Sequence, residues 1–291
     1  MITPTRPLAT ALFVAAGLSI ACPGPGHAGK DVYDKFGGPF LDPEKWSGSS
    51  VEGTSAAPTA EVVRGIDNGQ LRLGLVSYGN ATTDTDVVTT RQQLDVKQLG
   101  TPGGSGFITS MKVTVTILDA EVQDCAANTG SPPQARAQMN GLLFHSGTGG
   151  GPSDLTGSVG FSFHVRKDIA APTNKIVALL FQCTAANCSS NTVLASHEFA
   201  THWSLNTPVV IRATWQSASH SVRFEVNPGA AGAETFDMDY TATSVGTDDT
   251  DPPTGDFKTL RVQNIVQNCS GARKRGFIDA LFDKVTFKRK P

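Results

Sequence analysis

The chain has 291 residues, of which 39% are hydrophobic and 17% charged, and its formal net charge is -2 at pH 7. This supply of apolar side chains is enough for a sizeable core and excludes a disordered chain. A net charge so close to zero excludes a global field that would attract nucleic acid or an anionic membrane, so we expect neither as a partner.

Residues 1–28 have the pattern of a secretory signal peptide: a basic residue, an apolar stretch over residues 7–21, and small residues before a cleavage site. The apolar stretch is shorter than the roughly 20 residues of a transmembrane helix. We therefore predict an exported protein, secreted or periplasmic, with a mature chain of residues 29–291 and no transmembrane segment. A lipid anchor on Cys22 is an open alternative, although the aliphatic residue expected three positions earlier is absent.

Four cysteines remain after the predicted cleavage, and an even number in an exported chain favours disulfides. Cys183 and Cys188 are spaced to close a short loop between two strand-like segments. Cys125 and Cys269 then pair with each other, tying an early loop to a late one. Three connectivities are open for four cysteines, and we favour 183–188 with 125–269.

Hydrophobic residues along the mature chain alternate with a period of two, which is typical of half-buried strands. Clusters of Gly, Pro, Asn and Asp separate these segments, and the pattern predicts one antiparallel β domain, a sandwich or a barrel. Residues 134–138 are the best candidate for a short helix. The predicted strands are, in chain order, residues 70–76, 108–118, 158–166, 175–181, 208–215, 220–226, 258–262 and 282–287.

Several segments resemble the concanavalin A-like lectin/glucanase (laminin-G-like) jelly-roll superfamily, as it occurs in uncharacterised exported bacterial proteins. They are the Asp-x-Phe … Leu-Asp-x-x-x-Trp opening at 34–46, the Gly-Gln-Leu-Arg-Leu strand at 69–73, the strand pair at 211–215 and 222–226, and the closing strand at 276–285. The resemblance implies an all-β, two-sheet antiparallel jelly-roll sandwich. It also implies that Trp46 and Trp215 lie in the core and that the protein is associated with glycans.

The function that this resemblance favours is recognition of a polysaccharide, glycan or other polymer outside the cytoplasm. Two alternatives stay open: a glycoside hydrolase or polysaccharide lyase on the same fold, and a non-catalytic structural protein of the cell envelope. The sequence does not decide the oligomeric state.

Glycoside hydrolysis requires two carboxylates on either side of the scissile bond. Asp237 and Asp239 share one face of a strand-like segment and are the candidates. The resembling glucanases carry Glu-x-Asp-x-Glu, whereas Glu234 falls on the opposite face here. A polar outer strand face explains the pattern equally.

Elimination by a lyase requires a base together with a cation or an amide that neutralises the uronate carboxylate. His164 and Arg166 share a predicted strand face, and His145, Arg136 and Gln138 are further candidates. The Arg-rich, Gln-x-His and Tyr-containing strands of jelly-roll lyases are not present as such. A solvated strand face is the alternative.

A dense group of acids, Asp248, Asp249 and Asp251 with Asp256, lies on one predicted loop. Oxygen ligands from one loop suit Ca²⁺, so the sequence predicts a possible calcium site, with a solvated acidic loop as the alternative.

Trp203, preceded by His202, is the best candidate for an exposed aromatic platform on which a sugar stacks. We therefore predict that these two residues contact the ligand.

Overall fold

The computed structural model describes residues 30–48, 52–53, 60–101, 104–147, 154–253 and 255–290. The predicted signal peptide and Cys22 lie outside these residues. In the described part, the strands are Lys30–Asp34 (β1), Trp46–Gly48 (β2), Glu52–Gly53 (β3), Glu61–Asp67 (β4), Gln70–Tyr78 (β5), Val87–Val96 (β6), Ile108–Val122 (β7), Gln134–His145 (β8), Ser158–Asp168 (β9), Asn174–Cys183 (β10), Asn191–Glu198 (β11), Val209–Gln216 (β12), Ser221–Val226 (β13), Glu234–Asp239 (β14), Lys258–Gln267 (β15) and Arg275–Arg289 (β16), with a 3₁₀ turn at Ser217–Ser219.

The strands form two eight-stranded sheets in which every neighbouring pair is antiparallel. Sheet 1 has the order β14-β13-β12-β7-β16-β5-β4, and β1 pairs with β16. Sheet 2 has the order β11-β10-β9-β8-β15-β6-β2, and β3 pairs with β6. The closing strand returns beside the first one, as expected. The predicted all-β architecture of two antiparallel sheets packed as a sandwich is confirmed.

Each of the eight predicted strands overlaps an observed strand, and residues 134–138, the best candidate for a short helix in a chain without a convincing one, are a strand instead. These residues begin β8, in which Ala135 and Ala137 face the core and Gln138 faces outward. The reason is pairing on both sides: β8 lies between β9 and β15, whose ladders satisfy its backbone groups. Tertiary context has overridden a local preference.

One large apolar cluster fills the space between the sheets. On β9, Phe161 and Phe163 contribute to it and are at most 1% exposed. Because successive side chains on a strand point to opposite faces, Ser162, His164 and Arg166 lie on the outer face of sheet 2. The alternation that builds the core therefore also decides which residues reach the outer face.

The opening motif joins the two sheets at one edge. Asp34 at the end of β1 accepts hydrogen bonds from the Trp46 indole nitrogen on β2 (2.7 Å) and from the Phe36 backbone nitrogen (2.8 Å). The Trp46 ring also stacks on Phe36, with ring centroids 5.7 Å apart, and Trp46 is 4% exposed. The expected core position of Trp46 is confirmed. Trp215 is half-buried and packs on Phe144 at the edge of the core.

Both predicted disulfides are confirmed. Cys125 pairs with Cys269, a sequence separation of 144 residues, and Cys183 pairs with Cys188, a separation of 5 residues. The first links the β7–β8 connection to the β15–β16 connection, and the second closes the turn after β10.

The difference in loop length gives a prediction about stability. In the chain-entropy model, the Cys125–Cys269 bridge stabilises by about 5 kcal/mol and the Cys183–Cys188 bridge by about 2 kcal/mol. Replacing both members of each pair by Ala should therefore lower the free energy of unfolding more for the long loop. Urea unfolding of the two variants measures this, and equal losses would contradict the prediction.

Candidate functional site: a polar groove on sheet 2

Polar residues on the outer face of sheet 2 come together across β6, β15, β8 and β9. Residues opposite each other in a sheet register point to the same face, so each row of partners forms one band of side chains. Three such rows cross the four strands: Ser162, Asn140, Thr259 and Asp95; His164, Gln138, Arg261 and Gln93; and Arg166, Arg136, Gln263 and Arg91.

Most of these side chains line a groove of about 440 Å³, a volume in the usual range for small-ligand sites. Its apolar rim comes mainly from Leu179, Phe181, Val193 and Phe257. Cys188, which is held by the short disulfide, belongs to its wall together with Ser189. The groove therefore combines polar groups along its floor with an apolar border.

A continuous set of hydrogen bonds connects the floor of the groove. His164 Nε2 lies 2.6 Å from Ser162 Oγ, which donates to Asn140 Oδ1. Asn140 Nδ2 donates to Thr259 Oγ1 (3.1 Å) and, at 3.5 Å, to Gln138 Oε1. Gln138 Nε2 donates to Gln263 Oε1 (3.1 Å). These buried polar groups largely satisfy one another, as such groups must when water is excluded.

The arginines at the groove differ in their partners. Arg166 forms an ion pair with Asp168 (3.0 Å), and Arg261 donates to the neutral Gln93 amide (3.0 and 2.7 Å). The Nε of Arg136 is buried and has no hydrogen-bond partner among the described residues. None of the described side chains that line the 440 Å³ groove is a carboxylate. The groove therefore carries excess positive charge.

Burial is the main cause of the altered pKa values here. Burial, with the charges of Arg166 and Arg261, lowers the pKa of Arg136 to about 9, so it is still a cation at neutral pH. His164 is 2% exposed. Burial and the nearby Arg136, Arg166 and Arg261 hold its pKa well below the usual value, so the imidazole is neutral at pH 7. Its Nδ1 has no partner among the described residues.

Of the lyase-type candidates, the structure brings His164, Arg136 and Gln138 together in this groove. Arg166 adjoins them, but its guanidinium turns toward Asp168. His145 does not line the groove; its backbone nitrogen bonds to the Asp251 carbonyl (2.8 Å).

Asp237 and Asp239 lie elsewhere, on the exposed face of the edge strand β14 of sheet 1. Both oxygens of Asp237 accept from Arg223 (2.8 and 2.7 Å), and this lowers the pKa of Asp237. Asp239 accepts from the Thr241 nitrogen (2.7 Å), and hydrogen bonds from the Thr241 side chain and backbone lower its pKa. Because their side chains belong to the other sheet, a catalytic role for them in the groove is not supported.

The prediction that Trp203 is an exposed platform is wrong. Its side chain is 3% exposed, packs in the core and donates its indole N–H to the Arg166 carbonyl (2.8 Å). His202 is exposed but does not line the groove. Trp203 packs into the core beneath the β11–β12 connection, so its ring is not available to stack on a ligand.

The predicted calcium ligands do not converge within the described part of the chain. Asp248 accepts from the Gly147 nitrogen (2.6 Å), and Asp249 is buried against Tyr240 and His220. Asp256 forms a buried ion pair with Lys258 (2.6 Å). Asp84, Cys125 and Cys269 are the one close group of metal-ligand types found there, and the two sulfurs are in a disulfide.

The contributions of Arg91, Arg261, Gln263, Asn140 and Ser162 were not predicted from the sequence. Their signal was present as polar residues at alternate positions of strands that lie inside a sheet. Which of them meet depends on register, because the partner strands are separated by long stretches of chain.

No protein-family model matches the sequence, and no curated protein matches it. Among solved structures, it is similar to a GlcNAcα1-4Gal-releasing endo-β-galactosidase from Clostridium perfringens (14% identity, TM-score 0.39, 91% of this chain and 65% of that one). It is also similar to a glycosyl hydrolase family 16 protein from Mycobacterium smegmatis (11% identity, TM-score 0.41, 88% of this chain and 100% of that one). A third similar structure is Lectin I from Ulex europaeus, solved with the methyl glycoside of α-L-fucose (10% identity, TM-score 0.37, 85% of this chain and 95% of that one). Likenesses this distant assign no function, which must come from the chain's own residues.

The buried, neutral His164 predicts how stability depends on pH. The unfolded chain takes up a proton at this residue below about pH 6.5, whereas the folded protein does not, so stability falls as the pH falls. The contribution is about 1.4 kcal/mol per pH unit until the lowered pKa is reached. Urea unfolding at pH 7 and pH 5.5 should show a shallower dependence for His164→Gln than for the native chain. An unchanged slope for His164→Gln would contradict the assignment.

Proposed function

We propose that the groove on sheet 2 binds an anionic polysaccharide. The observation that carries this proposal is the buried Nε of Arg136, which has no hydrogen-bond partner among the described residues, in a 440 Å³ groove whose described lining holds no carboxylate. A buried cationic group without a partner is unfavourable unless an opposite charge compensates it. A bound anion would supply that charge, and guanidinium groups suit carboxylates and sulfates because they donate in pairs.

The rest of the groove suits a sugar polymer. Phe181, Phe257 and Leu179 offer apolar contact for the C–H faces of a pyranose ring. The amides of Gln138 and Asn140 hold the floor beneath this apolar border through their own hydrogen bonds. The groove also continues past Arg91 and Arg261 toward Asp95 in a second depression of about 260 Å³. A continuous depression of this kind accommodates a chain better than a single small molecule.

Export is part of the proposal. Two disulfides are typical of proteins in oxidising compartments, where extracellular polysaccharides are found. The predicted signal peptide supports a secreted or periplasmic location, with the lipid anchor at Cys22 as the alternative. No helix in the described part of the chain is long and apolar enough to cross a membrane.

Cleavage of the same polymer by β-elimination is the second candidate. It is favoured by the neutral His164, whose unpartnered Nδ1 lies on the same face as Arg136. In this reaction, the base takes the proton beside the carboxylate, a C=C bond forms, and the bond to the leaving oxygen breaks. The imidazolium then returns the proton to that oxygen. Hydrolysis is less well supported, because it needs two carboxylates, whereas the described lining of the 440 Å³ groove has none and that of its 260 Å³ continuation has one, Asp95.

The test is binding of the purified chain to carboxylated, sulfated and neutral polysaccharides, with single-stranded DNA as a control polyanion. We expect the acidic polysaccharides to bind with an affinity that falls as salt increases, because screening weakens ion pairing. Arg136→Gln should weaken binding by about 10-fold or more, the effect of losing a hydrogen bond to a charged group. Arg273→Gln, at an exposed arginine outside the groove, should bind as the native chain does.

The Arg136→Gln variant should also melt at a temperature no lower than that of the native protein. The reason is that removing the Arg136 charge relieves its repulsion with Arg166 and Arg261. Equal binding of neutral polysaccharides, or DNA binding that is equally tight and equally sensitive to Arg136→Gln, would contradict the proposal. Ultraviolet absorbance from new C=C bonds would establish elimination, and binding without it would leave recognition alone.

A further inference from the structure

The hydrogen-bond chain on the groove floor determines which nitrogen of His164 carries the proton. With the amides oriented as in the structure, Asn140 Nδ2 is used as a donor to Thr259 and Gln138, so Asn140 Oδ1 is the acceptor for Ser162. The single hydroxyl proton of Ser162 is then committed to Asn140. Ser162 Oγ can therefore only accept from His164, which places the imidazole proton on Nε2.

A neutral imidazole with its proton on Nε2 has a bare lone pair on Nδ1. This Nδ1 is buried and has no partner among the described residues, and the His164 side chain as a whole is 2% exposed. A buried acceptor without a donor costs free energy, and a ligand that donates a proton to it recovers that cost. The site therefore has an unmet requirement for a hydrogen-bond donor.

Arg136 has the complementary requirement at a short distance. It precedes Gln138 by two positions on β8, and Gln138 is the register partner of His164, so Arg136 is a diagonal neighbour of His164 on the same face. Diagonal neighbours in a sheet are about 7–8 Å apart. The buried Nε of Arg136 donates and has no partner among the described residues. A single sugar ring is large enough to meet both residues at once.

We infer that the site recognises an acidic sugar residue that places its anionic group on Arg136 and donates a neighbouring hydroxyl proton to His164 Nδ1. This inference rests on the proposed binding of an anionic polysaccharide and specifies the unit that is bound. A uronate and a sulfated sugar with a free neighbouring hydroxyl share this chemistry. A polyanion without a hydroxyl at that position lacks half of it.

The first measurement needs no ligand. Nitrogen NMR of the free, ¹⁵N-labelled protein reports the protonation of each ring nitrogen, with His164→Gln used to assign the signals. We expect Nε2 to be protonated and Nδ1 to be bare at pH 7. A proton on Nδ1 would mean that Ser162 donates to His164 instead of accepting from it, and this would overturn the inference. It would not affect the proposed attraction of the groove for polyanions.

The second measurement compares an oligogalacturonate with the same oligomer after O-methylation of its hydroxyls, and a sulfated galactan oligosaccharide with its methylated form. Methylation preserves the charge and removes the proton that His164 accepts. We expect the native chain to lose about 10-fold in affinity on methylation of the unit it recognises, the effect of one unsatisfied buried acceptor. The uronate and sulfate arms show which anion the site prefers.

Two variants separate this contact from a general effect on the fold. Ser162→Ala keeps the imidazole but removes the group that accepts from its Nε2, and it should reduce the methylation effect to less than about 3-fold. His164→Phe should eliminate it, while His202→Gln should retain it. Equal affinity of the native chain for methylated and unmethylated forms would overturn the inference. Failure to bind either unmethylated oligomer would instead overturn the proposed function.

Discussion

The interaction on which the rest of the site depends is the burial of polar side chains on the outer face of sheet 2. Gln138, Asn140 and His164 are each at most 3% exposed although they point away from the sandwich core. Buried polar groups must find partners, and the antiparallel register supplies them by placing Asn140 opposite Ser162 and Thr259. The result is a hydrogen-bonded floor that holds each amide in one orientation. Beside this floor, the buried Nε of Arg136 has no hydrogen-bond partner among the described residues. This difference between satisfied amides and an unpartnered cationic group sets the groove apart from an ordinary polar sheet face.

The remainder of the fold keeps this floor in place. The core-facing residues of β9, such as Phe161 and Phe163, fix the rotation of the strand and thereby direct Ser162 and His164 outward. At the edge of sheet 2, Asp34 links β1 to β2 by accepting a hydrogen bond from the Trp46 indole, and this bond joins the two sheets there. The disulfides have separate roles. The long-range bridge restricts the unfolded chain, whereas the short one shapes the wall of the groove and contributes less to stability.

Much of the fold could be predicted from the sequence, because a period of two and the spacing of the cysteines are local patterns. Val159, Phe161, Phe163 and Val165 indicate both the strand and its inner face without knowledge of any partner. The site could be predicted only in part. His164, Arg166, Arg136 and Gln138 were candidates by residue type, but Arg261 and Gln263 join them through a register between strands more than 100 residues apart, which no local pattern encodes. Trp203 shows the opposite failure: flanking polar residues indicated exposure, while packing against the core determined burial. The acids of the predicted calcium loop do not converge for a related reason, since Asp248 and Asp249 form separate hydrogen bonds.

The sign of the charge in the groove limits the chemistry that it can support. An enzyme that hydrolyses a glycoside stabilises a positively charged transition state between two carboxylates. The groove on sheet 2 offers the reverse, cations around a neutral imidazole, and cations stabilise negative charge. Such a surface can hold a carboxylate or sulfate, and it can also stabilise the carbanion-like state of an elimination. Binding and elimination are therefore not separate designs here. They share the same arrangement of Arg136, Gln138 and His164, and they differ only in whether a bound sugar brings an acidic carbon-bound proton, instead of a hydroxyl proton, to the bare nitrogen of His164.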